Sequence, residues 1–445
     1  MMSTRQRVGT VSRRRLLRLG VGAAASGGAA AVTSGCAGLR IGTGSDGRQL
    51  DFFWYVEGKR SQYTRAAARR YERAHAGVTI DARFTGYADY WDKLATQVAG
   101  GDPPDVFQLE LVRLNEYAAR GVVRPLDDLV PDLVAALEPD VKASCTYDGR
   151  VYFLPTGLSV TPGLTIDRDA VQRLGLDLPA ADWTMADFVA FCQDTWTASK
   201  GTVSGTSDLG GNHWALEAYA LGRGEQPFDA DGRLGMSRDT VATWLRLWDR
   251  LRRNHSCVPM DRTAEGAGFE NSPIVTGDAV ISDTASAKGL LGLQSLTKHR
   301  LGLVTFPRAE RGGPTATTVP PIEWWAISSR TDDKTARLAA SFCRYLLTGK
   351  ANLDGMVAEH GIPVVPSLRA PARASAAPEV KVTFDAFDVV RAAHPPAVRA
   401  PAKGASELLT QVLPKLNEDV GFDRTTVSRA ARDFFAEADR ILGAS

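Results

Sequence analysis

Hydrophobic residues in the first part of the chain alternate between the spacing of strands and the spacing of helices. Residues 78–84 (VTIDARF) alternate strictly, which predicts a strand with one buried face. Residues 61–74 instead carry apolar side chains three or four positions apart, which indicates an amphipathic helix. The predicted order is strand 50–56, helix 61–74, strand 78–84, helix 88–99, strand 105–111 and helix 112–120.

Strands that alternate with helices over short connections predict an open α/β sheet covered by helices. Ligands of such sheets bind in loops beyond the carboxyl ends of the strands. We therefore expect a site formed by the loops 56–60, 85–87 and 109–112.

The rest of the chain also combines predicted strands and helices, and the sequence shows no internal repeat. Residues 148–155 predict a turn that leads into a strand. A segment rich in Gly, Ser and Thr (201–211) predicts a loop, and one rich in Pro, Ala and Ser (366–379) predicts a linker. Further predicted strands are 164–166, 279–282, 301–304 and 325–328, and further predicted helices are 183–195, 238–252, 333–347 and 427–442.

The N-terminus has the organisation of an export signal. Residues 1–36 contain six arginines and no acidic residue, followed by an Ala/Gly-rich run and a small-residue stretch that ends at Cys36. Residues 12–17 (SRRRLL) are similar to a twin-arginine signal, and Cys36 stands where a lipobox places the lipidated cysteine. We predict a signal peptide over 1–36 and a flexible tether over 37–49. A basic nucleic-acid-binding arm, or a cleaved signal with an unmodified cysteine, is the alternative.

The net charge and the length of residues 37–445 limit the classes of protein to which this part of the chain can belong. The full chain carries a net charge of +2, and without the six signal arginines residues 37–445 carry −4. A mildly acidic surface is not typical of a protein that binds nucleic acid. A length of about 400 residues favours two domains over one.

Four cysteines follow the predicted signal: Cys145, Cys192, Cys257 and Cys343. An extracytoplasmic location permits disulfides, and four cysteines allow three pairings. Folding before twin-arginine export favours free, buried thiols instead. The sequence leaves their pairing open.

Several short phrases, in order and with consistent spacing, resemble extracellular solute-binding proteins of ABC importers, in the family that includes maltose- and oligosaccharide-binding proteins. The resemblance spans nearly all of residues 50–368. The phrases are 87–94 (YADYWDKL), 99–106 (AGGDPPDV), 148–155 (DGRVYFLP), 163–169 (GLTIDRD), 224–232 (GEQPFDADG), 276–281 (TGDAVI) and 325–329 (WAISS).

The resemblance implies a class II periplasmic-binding-protein-like α/β fold, in which two lobes face each other across a ligand cleft and close by a hinge motion. Lobe one is expected over 48–156 and 326–368, and lobe two over 157–325 and 369–445. The protein is expected to be a monomer, lipid-anchored to the outer face of the cell membrane. It would capture a mono- or oligosaccharide and deliver it to a membrane permease.

Sugar recognition requires aromatic faces for stacking and polar side chains for the hydroxyl groups. Trp54, Tyr87 and Glu110 stand at or next to predicted cleft loops, and the resemblance adds polar contacts at the hinge and in lobe two. The candidate ligand-binding residues are Trp54, Glu57, Tyr87, Glu110, Ser159, Trp214, Asp283, Glu323 and Trp324. Asn212 and His213 are candidates for capping the cleft beside Trp214.

No catalytic motif is present in the sequence. The six histidines are scattered without metal-ligand spacing, and no H-E-x-x-H, G-x-S-x-G or P-loop motif occurs. We therefore expect no enzyme, no metal and no cofactor. A binder of glycerophosphodiesters or another small anion is the main alternative, with Lys59, Arg60 and Arg113 as its candidate contacts. A glycan-active enzyme with paired carboxylates and an adhesive or sensory lipoprotein are the others.

Overall fold

The computed structural model describes residues 48–55, 58–229, 233–265, 268–283, 287–321, 323–396 and 404–443. The predicted signal peptide, most of the tether, the lipobox residue Cys36 and the candidate Glu57 lie outside the described residues.

The strands form two main sheets and one hairpin. They are β1 Arg48–Tyr55, β2 Val78–Thr85, β3 Val106–Glu110, β4 Thr146–Tyr147, β5 Arg150–Val151, β6 Phe153–Pro155, β7 Leu164–Asp167, β8 Ser204–Thr206, β9 Ala279–Asp283, β10 Leu301–Val304 and β11 Glu323–Ile327. The first sheet has the order β2-β1-β3-β11-β6, the second has the order β10-β7-β9-β8, and β4 pairs with β5. Asp148 and Gly149, both at positive φ, form the predicted turn of that hairpin.

Helices cover both sheets. They are α1 Lys59–Ala74, α2 Tyr87–Ala99, α3 Leu114–Ala119, α4 Pro131–Ala136, α5 Pro139–Ser144, α6 Arg168–Leu174, α7 Met185–Ala198, α8 His213–Gly222, α9 Arg238–Arg253, α10 Met260–Ala264, α11 Pro273–Thr276, α12 Ala287–Gln294, α13 Asp333–Thr348, α14 Leu353–His360, α15 Arg369–Ser375, α16 Pro378–Ala392, α17 Ala405–Glu407, α18 Leu413–Gly421 and α19 Val427–Leu442. A π-helical segment, Leu408–Val412, joins α17 to α18.

Each main sheet has its own hydrophobic core. In the first sheet β1 buries side chains on both faces, with Phe52 and Trp54 on one and Phe53 and Tyr55 on the other. A strand covered on both sides lacks a strict alternation of hydrophobic and polar residues, which explains the continuous apolar run at 50–55. The second core is built around Trp244 and Trp248 of α9. Their spacing of one helical turn is typical of core side chains.

The two sheets are connected by segments that cross close together. Leu158 donates its N–H to Ile362 O at 2.7 Å, and Ser159 donates to Pro320 O at 3.0 Å. A Cβ on Gly157 would lie 2.2 Å from His360 O, so only glycine fits at this crossing.

Two sequence predictions were wrong, and both errors concern Gly- or Pro-rich segments. Residues 201–211 contain the buried strand β8, whose Gly205 packs so closely on α7 that a Cβ would lie 2.2 Å from Cys192 Cα. Residues 366–379 are mainly helical, because Pro366 and Pro378 occupy first-turn positions, where the missing N–H costs nothing.

The C-terminal helices divide between the two cores. Ala372 of α15 and Phe384 and Phe387 of α16 lie in the first core, whereas Leu413 of α18 and Phe434 of α19 lie in the second. The lobe assignment from sequence placed everything from residue 369 onward on lobe two, so α15 and α16 depart from it. The other lobe boundaries remain a prediction.

All four cysteines in the described residues are buried and unbridged: Cys145, Cys192, Cys257 and Cys343. Burial raises the pKa of Cys145 to about 12 and raises the pKa values of the other three as well. The thiols therefore stay protonated and act as small hydrophobic side chains. Among the described residues, no helix combines the length and the apolar character needed to cross a bilayer.

Candidate functional site

Three polar side chains meet at one edge of the first sheet because of its strand directions. β1 and β3 are parallel, so their last residues, Tyr55 and Glu110, lie at the same edge. β11 runs antiparallel to β3, and its register places its first residue, Glu323, opposite Glu110. Residues 55, 110 and 323 thus come together although the chain separates them widely.

Glu110 is the centre of a hydrogen-bonded group. Its two carboxylate oxygens accept from the Tyr87 hydroxyl and from Arg113 Nε, each at 2.9 Å. Burial, and then the negative charge of Glu110, raises the pKa of Tyr87, so its hydroxyl remains a donor at neutral pH. The Arg113 guanidinium lies over the Trp91 ring, 4.0 Å from its centroid.

Glu323 forms a second carboxylate–arginine pair beside the first. Arg60 Nη1 lies 2.5 Å from Glu323 Oε1, and His360 Nδ1 lies 3.6 Å from Oε2. All three side chains are largely buried. Desolvation and the nearby carboxylates of Glu323 and Glu110 raise the pKa of Tyr55 well above its usual value, so this phenol also stays protonated.

Aromatic rings form one wall of the site. Tyr55 makes edge-to-face contacts with Tyr87 at 5.3 Å and a tilted contact with Trp91 at 5.5 Å between centroids. Tyr87 is 48% exposed, although it belongs to this packed cluster. An exposed ring that neighbouring rings hold in place is suited to stack on an apolar ligand face.

Three further candidates, Asn212, His213 and Trp214, lie at the start of α8, a helix of the second core. The Asn212 side chain accepts from Ala215 N and caps this helix, so His213 and Trp214 occupy its first turn. Their rings lie 4.8 Å apart, and His213 Nδ1 is 3.2 Å from Glu217 Oε1. Trp214 is only partly buried and packs against the first core, although its helix belongs to the second. Trp214 therefore lies between the two cores.

A buried ion pair fixes the loop before α8. Asp208 is fully buried; its Oδ2 lies 2.6 Å from Arg252 Nη1, and its Oδ1 accepts from Gly210 N at 2.7 Å. Asn417 Oδ1 of α18 accepts from the same Arg252 nitrogen at 3.1 Å. Because the loop ends at Asn212, this pair helps to position the first turn of α8.

The structure brings Tyr87, Glu110 and Glu323 together, as the prediction of a common site requires. Ser159 is buried in the hinge crossing, and its hydroxyl has no hydrogen-bond partner within the described part of the chain. Asp283 is the last residue of β9, where its backbone pairs with Leu164.

Two predicted contacts are corrected. The indole of Trp54 is fully buried under α1 and donates to Ser61 Oγ at 3.1 Å. Trp324 is also fully buried, next to Cys145. Both stand near strand ends, but neither side chain has exposed surface, so neither ring is presented to a ligand.

Sequence reasoning missed two aromatic residues of the site. Tyr55 is the last residue of β1, but the sequence pattern selects its neighbour Trp54 as the candidate. Adjacent strand residues point to opposite faces, so only one of the two can point to the site. Trp91 has the helical spacing of a core residue, yet it is only partly buried and Arg113 lies over its face. The described residues contain no group of three or more His, Cys, Asp or Glu arranged to bind a metal.

Comparison with known proteins provides a family and a fold. Residues 66–382 match the family model for bacterial extracellular solute-binding proteins. A binding protein of Brucella abortus strain 2308 is 23% identical over 131 residues, which cover 28% of this chain and only 30% of that protein.

Two solved structures have the same architecture. A periplasmic oligogalacturonide-binding protein from Yersinia enterocolitica, solved with saturated digalacturonic acid, is 18% identical with a TM-score of 0.76, over 89% of this chain and 99% of that one. A substrate-binding protein from Listeria monocytogenes, solved with cycloalternan, is 17% identical with a TM-score of 0.75, over 89% and 100%. At these identities the likeness establishes the fold, which is the two-lobed α/β fold expected from the sequence.

Proposed function

Since this chain belongs to the family of bacterial extracellular solute-binding proteins, we propose that it captures a carbohydrate outside the cytoplasm and delivers it to the membrane permease of an ABC importer. The ligand would bind at the edge of the first sheet, against the first turn of α8. The proposed contacts are Tyr55, Tyr87, Trp91, Glu110, Arg113, Ser159, Trp214, Asp283 and Glu323.

The chemistry of these side chains supports a sugar. Tyr87 and Trp214 offer aromatic faces from two different lobes, which suits a flat ligand with apolar C–H patches. Glu110 and Glu323 offer carboxylate oxygens that accept hydrogen bonds from hydroxyl groups, and the neighbouring arginines donate. A few convergent polar groups among aromatic side chains are typical of small-molecule sites.

Charge pairing is the observation that favours an uncharged sugar over an anionic solute. An anion needs arginine or lysine side chains whose charge is not already neutralised. Arg60 is paired with Glu323 and Arg113 with Glu110, while Lys59 is exposed at the start of α1. The two arginines that could have recognised a glycerophosphodiester therefore add no net positive charge to the site.

Calorimetric titration and thermal-shift measurements would test the proposal directly. The purified protein would be titrated with neutral mono- and oligosaccharides, with digalacturonate and with glycerophosphoglycerol. We expect stoichiometric binding of a neutral sugar, which at a hundredfold excess over its Kd would stabilise the protein by about 2.7 kcal/mol. Recovery of the sugar without any chemical change would support a binding protein, and turnover would support the enzyme alternative.

Binding of only the two anionic probes would contradict the charge argument but not the binding function. No response to any probe would leave the carbohydrate proposal without support and would favour the adhesive or sensory alternative.

The N-terminal residues support an anchored, extracytoplasmic location. We propose that Cys36 is lipidated after export and holds the protein at the outer face of the cell membrane, where it meets the permease. In a Cys36→Ser variant we expect the protein to move from the membrane fraction to the soluble fraction, because the lipid attachment atom is lost. Immunoblotting of fractionated cells measures this, and an unchanged membrane fraction would contradict lipid anchoring at Cys36.

A further inference from the structure

Helix α1 carries a row of arginines that lies outside the candidate ligand site. Its sequence contains six basic residues and one acid, Glu72. Arg65, Arg69 and Arg73 are spaced four residues apart, which places them on one side of the helix, and all three are exposed. Arg48, the first residue of β1, is also exposed. We call these four arginines the basic face.

Arg48 lies beside the C-terminal end of α1 and extends the row there. Its N–H donates to Gly77 O at 2.8 Å, three residues beyond the last residue of α1. Trp54 donates to Ser61 of α1, and Arg48 shares the strand face of Trp54 because an even number of residues separates them. Burial raises the pKa of Tyr71 on α1, and the positive charge of Arg48 opposes this shift. The basic face therefore combines one side of α1 with the start of β1.

The positive charge of the basic face is not neutralised within the described part of the chain. The Glu72 carboxylate accepts a main-chain N–H of β2 at 2.7 Å. The acids of β1 and β2, Asp51 and Asp81, pair with Arg83 on the face of the sheet opposite α1. Arg65 lies over an aromatic ring of β2, a contact that leaves its charge in place. The four arginines thus form a local positive charge on a chain whose residues 37–445 carry −4 overall.

The basic face lies where the chain arrives from the predicted lipid anchor. Arg48 follows Cys36 by 12 residues, which span at most about 43 Å when fully extended. A lipid on Cys36 would therefore hold Arg48 within this distance of the bilayer. The ligand site is at the other end of β1, where Tyr55 lies about 23 Å from Arg48.

We propose that the basic face binds anionic phospholipid headgroups of the membrane that carries the anchor. This inference rests on the lipidation of Cys36 proposed above. Guanidinium groups form charge-assisted hydrogen bonds with phosphate, and each basic residue close to an anionic bilayer adds to the attraction. Because residues 37–445 are acidic overall, the bilayer attracts this face and repels the rest of the surface. The contact therefore orients the anchored protein and leaves the ligand site open to solute.

A lipid surface fits the basic face better than an acidic protein does. A short linker to the bilayer gives the basic face an effective concentration on the order of millimolar, so a weak attraction is sufficient. A separate protein would have to bind without this advantage. Gln62 and Ala66 share this side of α1, so it lacks the large apolar side chains around which protein interfaces form.

Vesicle sedimentation with residues 37–445 tests the proposal, because this form lacks the lipid and the signal arginines and contains every described element. Vesicles of equal parts phosphatidylglycerol and phosphatidylcholine should bind it at low ionic strength, where charges are least screened. Vesicles of phosphatidylcholine alone should not bind it. Arg69→Gln combined with Arg73→Gln should weaken binding about 25-fold, since each arginine contributes about fivefold. Glutamine is a good helix former, so the variant should remain folded.

The control is Arg246→Gln combined with Arg250→Gln on α9. These two arginines are also exposed and four residues apart, but α9 belongs to the second core. The control loses the same charge at the same helical spacing and should bind vesicles as the wild type does. Sugar binding should be unchanged in both variants, since neither alters the candidate ligand site.

The proposal is overturned by an absence of binding to anionic vesicles, by equal binding to both kinds of vesicle, or by unchanged binding in the α1 variant. Equal weakening by the α1 and α9 variants would also overturn it, because only the net charge would then matter. Unchanged vesicle binding with impaired solute uptake in the α1 variant would assign these arginines to a protein partner instead. The vesicle results do not depend on lipidation of Cys36, which fractionation of cells tests separately, or on the identity of the solute.

Discussion

Replacing Arg252 with methionine should destabilise the protein by about 3–5 kcal/mol, because it leaves the fully buried Asp208 carboxylate without its cation. The Arg252 side chain is only 6% exposed, and its Nη1 contacts both Asp208 and Asn417. Methionine keeps most of the aliphatic length, so the loss reports the missing charge and hydrogen bonds rather than a large cavity. Urea unfolding followed by circular dichroism measures the change.

The neighbouring Arg253 provides a matched control. It stands on the same helix and pairs with Asp249 and Asp423, but its side chain is 59% exposed. Exposed pairs contribute about 0–1 kcal/mol, so Arg253→Met should have a small effect. Equal losses of unfolding free energy in the two variants would show that burial does not determine how much the Arg252–Asp208 pair contributes to stability.

A double variant separates the charge from the packing. In Asp208→Asn combined with Arg252→Met, neither side chain is charged, and we expect much of the stability to return. Additive losses would instead mean that Asp208 and Arg252 stabilise the loop independently.

The secondary structure was predictable where a local pattern determined it. The apolar run of β10 and the amphipathic spacing of α19 gave their bounds correctly, at 301–304 and 427–442. β8 could not be found in the same way, because its three residues, Ser204, Gly205 and Thr206, carry no hydrophobic side chain. What makes this segment a strand is its place between β9 and the closely packed α7, which is a tertiary effect.

The sequence predicted which strand ends form the site, but it did not predict the direction in which each side chain points. Glu110 and Glu323 were both candidates, yet only the antiparallel register of β3 and β11 places them side by side. Trp54 and Tyr55 are adjacent in sequence and point to opposite faces, so a shift of one residue separates a tryptophan that contacts α1 from a tyrosine that packs against Tyr87 and Trp91. Likewise, the pairing of Arg60 with Glu323 joins residues 263 positions apart, and no local pattern contains this information.

Replacing Glu110 with alanine should weaken ligand binding by about 2–5 kcal/mol, roughly 30-fold to several-thousand-fold in Kd. The carboxylate accepts from both Tyr87 and Arg113, so its removal takes away a ligand acceptor and leaves the Arg113 charge partly buried without its ion pair. The same change converts a neutral site into a cationic one. Calorimetric titration with the neutral sugar that gives the largest thermal shift measures the effect.

The control is Glu116→Ala, which breaks a similar carboxylate–arginine pair with Arg120 on the surface of α3. It should leave Kd unchanged, and unfolding measurements on both variants should show that neither has lost its fold. Because Glu110→Ala leaves an unneutralised arginine, weak binding of glycerophosphoglycerol should appear in this variant as neutral-sugar binding is lost. An unchanged Kd for the sugar would place the ligand away from the edge of the first sheet, whereas a gain of anion binding would confirm that charge pairing at this edge sets the ligand class.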